Sequence, residues 1–244
     1  MTVSLKTINL TEDELWLYIS CPVQYDLYRK QIIPVKPKTF QEHLQYIARN
    51  FFSNLMEGKV LSGAAIKRQW DTLVKKNKDT IPDDKITDGI SKLMIMYKWA
   101  EKVKLRILDI TVPYLLIFKG LEDDTRIFVK GNIPVISVTQ GMVPEILALD
   151  FGNKHSNTIR IDMNLKYSLH SLAYKQQGRR TAGVHVHNVK FGTDTLSYRG
   201  KDDYQRLERT VATVAYCIDK GLYYPRENVM CTQCFCAGSC KAWR

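Results

Sequence analysis

The spacing of apolar residues changes once along the chain, near residue 106, from a period of three or four to a period of two. Before that point the pattern is helical. Phe40, His43, Leu44, Ile47, Phe51, Leu55 and Met56 share one face, and a turn over 58–63 separates them from a second helix over 64–76. Pro82-Asp-Asp breaks the pattern again. Ile86, Ile90, Leu93, Met94, Tyr97 and Val103 then predict a longer amphipathic helix. After Arg106, alternation predicts four strands over 107–119, 126–130, 133–138 and 145–151, with turns at 120–124 and 140–144. A helix over 164–177, a strand over 181–191 and a long helix over 202–220 complete the series. A helical block followed by an antiparallel meander, a helix, a strand and a final helix predicts an α/β or α+β fold. The most economical account is one domain over 1–244 with a helical insertion over 40–105.

The start of the chain has its own signal. Thr11 and Glu14 form a capping-box pair ahead of Leu15, Tyr18 and Ile19. Cys21 stands at the end of that short helix, and Pro22 follows it, where a helix terminates or restarts.

Charge changes the picture modestly. Of 244 residues, 45% are hydrophobic, enough for a sizeable core, and the net charge of +11 favours a polyanionic partner. No apolar run approaches the ~18 residues a membrane span needs, and Met1-Thr-Val-Ser-Leu-Lys6 lacks the plan of a signal peptide. The expectation is a soluble, cytoplasmic protein without a membrane partner.

Cysteine placement changes it more. Four of the six cysteines lie in the tail Cys231-Thr-Gln-Cys234-Phe-Cys236-Ala-Gly-Ser-Cys240. A C-x-x-C pair with a third cysteine six positions on can put three thiolates on one ion or cluster, one short of the usual four. In a reducing compartment such clustering points to metal more than to a disulfide, which is the alternative.

Cys21 followed by Pro-x-x-Tyr25, the terminal C-x-x-C-x₅-C and Tyr224-Pro225 together resemble the iron–sulfur nucleases of the PD-(D/E)XK superfamily. These are the CRISPR-associated adaptation exonuclease, the AddB subunit and related RecB-like exonucleases. The resemblance implies a restriction-endonuclease-like core sheet flanked by helices. It also implies a 4Fe–4S cluster on Cys21, Cys231, Cys234 and Cys240, with 1–30 and 221–244 forming the cluster subdomain. Zinc is the competing metal, since four thiolates suit it too. Cys236 then reads as a spare thiol and Cys217 as core. A cluster joining Cys21 to Cys231 closes a loop of about two hundred residues and removes on the order of 4–5 kcal/mol of chain entropy from the unfolded state.

The same resemblance implies a nuclease site. Its parts are an early-helix histidine, a Gly-x-x-Asp strand, an Asp/Glu-x-Lys strand and a Gln-x-x-x-Tyr helix. Two carboxylates hold Mg²⁺ or Mn²⁺, the metal lowers the pKa of a water, and the lysine orients it. Here His43 is the histidine candidate. Gly131-Asn132-Ile133-Pro134 carries proline at the acid position, and Asp150 matches the second acid. Gly152 takes the lysine position with Lys154 two residues further on, and His170 replaces glutamine ahead of Tyr174. Asp123 or Asp124 could supply a carboxylate only from a neighbouring turn. Glu145, an odd number of residues from Asp150, faces the other side of the strand.

One carboxylate of two and a displaced lysine predict an eroded site, with Asp150, Lys154 and His43 as its remnants. Mg²⁺ or Mn²⁺ is expected only if that site is active. Lys75, Lys76, Lys166, Tyr174, Lys175, Arg179 and Arg180 are the candidate DNA contacts. The expectation is an iron–sulfur DNA-binding protein, an accessory or subunit in DNA processing. The alternatives are an active nuclease with a migrated site, and a protein-interaction factor whose cluster only staples the fold.

Overall fold

The computed structural model describes residues 5–32, 39–59, 61–78, 81–122, 124–139, 143–153, 158–179, 183–227, 231, 234 and 236–240. The chain is mixed α/β and divides into two units. The first comprises 1–36, 113–131 and 200–244, and the second 37–112 and 132–199. The mixed sheet has strand order β1 (Lys6–Thr11), β3 (Thr125–Val138), β4 (Pro144–Asp150), β5 (Val184–Asn188) and β6 (Thr193–Ser197), with β2 (Arg106–Lys119) joining β3 off that path.

In the first unit, β1 (Lys6–Thr11) runs parallel to the first half of β3 (Thr125–Val138), with Lys6 opposite Thr125 and Thr11 opposite Lys130. Helix α1 (Glu12–Ser20) starts at the expected capping box: Glu14 N–H donates to Thr11 Oγ1 at 3.0 Å, and Thr11 N–H to the Glu14 carboxylate at 2.9 Å. Helix α2 (Pro22–Arg29) follows after one extended residue, and α8 (Lys201–Asp219) closes the unit. Leu10, Leu15, Tyr18, Tyr25, Ile127, Val129, Leu207 and Val211 are among its buried residues.

Strand β2 (Arg106–Lys119) alternates strictly from Val112 to Lys119 but not before, because Thr111 sits at φ 53° and displaces the alternation. Pro113 follows it, a residue that edge strands tolerate. Gly131 answers a packing demand: a Cβ there would collide with the hydroxyl of Tyr114, which itself donates to the buried Glu12 carboxylate at 2.6 Å. What reads in sequence as two strands, over 126–130 and 133–138, is thus one continuous strand.

The second unit holds α3 (Phe40–Met56), α4 (Gly63–Lys76) and α5 (Asp83–Lys102), which share a core around Leu44, Phe51, Trp70, Leu93 and Met96 with Leu147 and Val189 of the sheet side. Trp70 is fully buried, and its indole N–H donates to Ile86 O at 3.1 Å. A methyl group at Gly89 would strike that ring, which is why the buried stripe of α5 runs through Gly89, Leu93, Met96 and Ala100.

The second half of β3 pairs antiparallel with β4 (Pro144–Asp150), β4 parallel with β5 (Val184–Asn188), and β5 antiparallel with β6 (Thr193–Ser197). Helices α6 (Thr158–Asp162) and α7 (Leu165–Gln176) complete the unit. Buried Arg199 ties them to β6: its Nε donates to Ser168 Oγ at 3.1 Å, and its terminal nitrogens reach Ile161 O at 2.6 Å and Ser197 Oγ.

Candidate metal centre and nuclease-like site

Cys21 occupies the joint between α1 and α2. Its N–H caps α1 through Leu17 O at 2.9 Å, and its backbone is extended (φ −161°, ψ 110°), the conformation favoured before proline. Pro22 then opens α2 at a position where its missing N–H costs nothing. Between them, the two helix ends present a half-buried thiol.

The tail approaches through successive short turns. Cys234 N–H donates to Cys231 O at 3.2 Å, Ala237 N–H to Cys234 O at 3.0 Å, and Cys240 N–H to Ala237 O at 3.2 Å. These bonds step by three residues and space Cys231, Cys234 and Cys240 along one tight path. The chain before the tail is anchored to α1: Tyr18 Oη donates to Leu222 O at 2.6 Å, and Arg226 donates to Ile19 O. Tyr18, Tyr25 and Tyr223 pack with ring centroids 5.5 to 6.3 Å apart.

One contact joins α2 directly to the tail. The Gln24 side-chain amide donates to Cys234 Sγ at 3.0 Å. Cys236 is buried, and burial, reinforced by its neighbours Cys234, Cys21 and Cys240, pushes its thiol up to about 12. Four thiols therefore share one neighbourhood, and Cys236 belongs to it. Cys231 Sγ lies 3.9 Å from Arg226 O, and Cys217 accompanies the Tyr18 hydroxyl. Among the described residues, no three His, Cys, Asp or Glu side chains converge closely enough to hold a single ion.

Asp150 ends β4 in the second unit. Its Oδ1 accepts the Gly152 N–H at 2.8 Å and its Oδ2 the Asn188 side-chain amide at 3.1 Å, so both oxygens serve the local turn and the neighbouring strand. Burial and the charge of Asp150 push Tyr167 up to about 12. Lys154, Asp123 and Arg180 lie outside the described residues. His43 is buried on α3 and His170 on α7.

The opposite face of β4 carries chemistry that sequence reasoning missed. Glu145 Oε2 meets His185 Nδ1 at 2.9 Å, and Asp194 Oδ1 meets His185 Nε2 and His187 Nδ1, each at 2.8 Å. The His187 ring stacks on Trp99 at 3.9 Å. Burial opposes charge on His185, but the hydrogen bonds to Asp194 and Glu145 outweigh it and hold the imidazole at about 9. Lys92 was missed as well: almost fully buried on α5, it reaches Asp88 at 2.9 Å and Asn153 at 3.1 Å.

The candidate DNA contacts are spread over the second unit. Lys75 and Lys76 form the exposed last turn of α4. Lys166 begins α7, and exposed Lys175 and Arg179 follow at its end, with the Arg179 guanidinium 5.5 Å over the Tyr174 ring. Tyr174 itself is buried.

No protein-family model and no curated protein matches the chain. Among solved structures, one titled "Crystal structure of SSO0001" aligns over 91% of this chain and 95% of its own at 12% identity, with a TM-score of 0.43. At that level the likeness assigns neither family nor activity.

The signals for the missed residues were partly present. His185 and His187 alternate visibly as His-Val-His, but their acid, Asp194, sits on a strand that the apolar pattern does not announce. Lys92 looks like any helical lysine in sequence. Only the packing of α5 buries it.

Proposed function

We propose that this is a nucleic-acid-binding protein of PD-(D/E)XK nuclease-like architecture. In this reading it holds a 4Fe–4S cluster on Cys21, Cys231, Cys234 and Cys240 and does not cleave DNA, serving as an accessory or subunit in DNA processing. The observation that carries the reading is the Gln24–Cys234 hydrogen bond, because it unites α2, three residues after Cys21, with the tail cysteines. The proximity of the Cys21, Cys234, Cys236 and Cys240 thiols supports a shared thiolate-held group, for which zinc is the competing occupant.

When bound, such a cluster cross-links the two ends of the described chain. The protein's own residues do the rest. Tyr18 and Arg226 hold the approach of the tail, and Pro22 fixes the backbone that presents Cys21. The loss of catalysis is supported by proline and glycine at two of the motif positions. Lys75, Lys76, Lys166, Lys175 and Arg179 supply the charge for phosphate contacts.

The test is anaerobic purification with iron and sulfide assays, followed by incubation with labelled single- and double-stranded DNA and Mn²⁺ over a salt series. The reading expects four irons per chain, salt-sensitive binding and intact DNA. Cleavage abolished by Asp150→Ala would overturn the inactive assignment, and absence of DNA binding at low salt would leave a protein-interaction factor.

A further inference from the structure

The outward face of the sheet in the first unit is apolar where a solvated face is ordinarily polar. Along β2, Val112, Tyr114, Leu116 and Phe118 are buried, while Leu115 and Ile117 point the other way and are 57% and 55% exposed. Gly120 N–H donates to Thr125 O at 3.0 Å, and counting along both strands from that bond sets Ile117 opposite Phe128, which is half-buried on β3. Arg126 and Lys130, both exposed, flank Phe128 on the same face, and on β1 the polar Thr7 and Asn9 stand opposite Arg126 and Phe128. We propose that this face docks an acidic amphipathic helix of a partner protein.

A single exposed aliphatic side chain is ordinary, but Leu115, Ile117 and Phe128 adjoin one another across two paired strands and form a patch. The inner face shows what covers such a pattern here. Ile8 and Ile127 line a small cavity with Ala212 and Ala215 of α8, so a helix supplies the second layer on that side. Outward residues lie roughly 7 Å apart along a strand and about 5 Å apart between strands, a grid that fits side chains about 6 Å apart on successive turns of a helix. Charge selects the partner. The charged outward residues of β1, of 113–119 and of 125–130 are all cations: Lys119, Arg126 and Lys130. A second copy docked about a two-fold axis would set those cations against themselves. Nucleic acid would meet the cations but not Leu115 and Ile117, because bases stack on aromatic and guanidinium planes. An acidic amphipathic helix answers both parts, with apolar residues on the patch and carboxylates toward Arg126 and Lys130. All of these residues belong to the first unit, and the surface needs neither metal nor DNA.

The probe is a displayed library of random peptides of about 16 residues, roughly four helical turns, panned against the full chain. Enriched sequences should carry Leu, Ile or Phe at three- and four-residue intervals with Asp and Glu beside them. A fluorescein-labelled copy of the most enriched peptide is then titrated by anisotropy against the parent, Leu115→Thr/Ile117→Thr and Arg126→Glu/Lys130→Glu. Each double variant should lose about tenfold or more in affinity. Threonine suits a strand, so the first variant should unfold at the parent's temperature. If it melts lower, the charge-reversed variant, which alters only exposed side chains, decides. No enrichment, enrichment of basic or unpatterned peptides, or parental affinity in both variants overturns the proposal. The same variants are run with labelled duplex DNA and by sedimentation. A defect of the threonine pair in DNA binding or self-association makes the face a nucleic-acid or self-contact surface and overturns it too.

Discussion

The thiols of the first unit and the carboxylate of Asp150 in the second both answer to one expected nuclease plan, and they are held in opposite ways. A helix joint presents Cys21, a series of short turns spaces the tail cysteines, and one amide meets Cys234. Asp150 is held by the fold around it. Its two oxygens complete a turn and brace β5. The cysteine thiols gather through local turns of the chain, while the Asp150 carboxylate joins a turn to a neighbouring strand.

The largest effect that would break this contrast is expected from Cys234→Ser. If the thiols staple the first unit, this variant loses its iron and destabilises that unit by on the order of 4–5 kcal/mol, the chain-entropy value of so long a closure. Iron assay and thermal unfolding check it together. Trp70→Ala should cost about 3–5 kcal/mol, since it empties a fully buried site between α4 and α5, yet leave iron content unchanged. Calorimetry alongside the iron assay separates the two units.

The His185 network sharpens the contrast through pH. The folded-state pKa of about 9 stands above the ordinary value of 6.5, so the stabilisation is fully present below pH 6.5 and is lost as pH rises through 9. Half-exposed Asp194 screens the interaction, leaving about 2 kcal/mol. Urea titrations between pH 6 and 10 should show that loss, flattened in Asp194→Asn.

Smaller still, Asp150→Asn should cost about 1 kcal/mol, the value of its hydrogen bonds, with no change in DNA affinity or Mn²⁺ response. A Mn²⁺-dependent difference in melting between parent and variant would place a metal on Asp150 and dissolve the contrast. Last, Arg179→Ala should weaken DNA binding across all sequences and lower the salt slope by about 1, measured by fluorescence anisotropy.

Helices are the legible part of the fold. The periods of three and four locate α3, α4, α5, α7 and α8 because each buries a continuous stripe. Three strands escape the pattern for separate reasons. Lys6–Thr11 is too polar to announce β1, since only Leu10 is buried. Gly131-Asn132 interrupts the alternation so that one strand reads as two, although Gly131 answers the Tyr114 hydroxyl. Gly192, at φ +61°, turns the chain between β5 and β6, a reversal hidden inside what reads as one strand and a loop. The site is legible in residue types and not in commitments. Cysteine spacing is a local property, but Asp150, His185 and Lys92 each have one partner distant in sequence, Asn188, Glu145 and Asn153.

The first unit draws on three stretches of chain separated by the second, and this orders events during synthesis. On the ribosome, β1, α1 and α2 emerge first, yet β1 waits for residues 125–130 to gain its strand partner. Every residue of the second unit has been polymerised by Arg199, before α8 exists. If the proposed cluster forms, its assembly is a late step, taken on a chain whose second unit can already be folded.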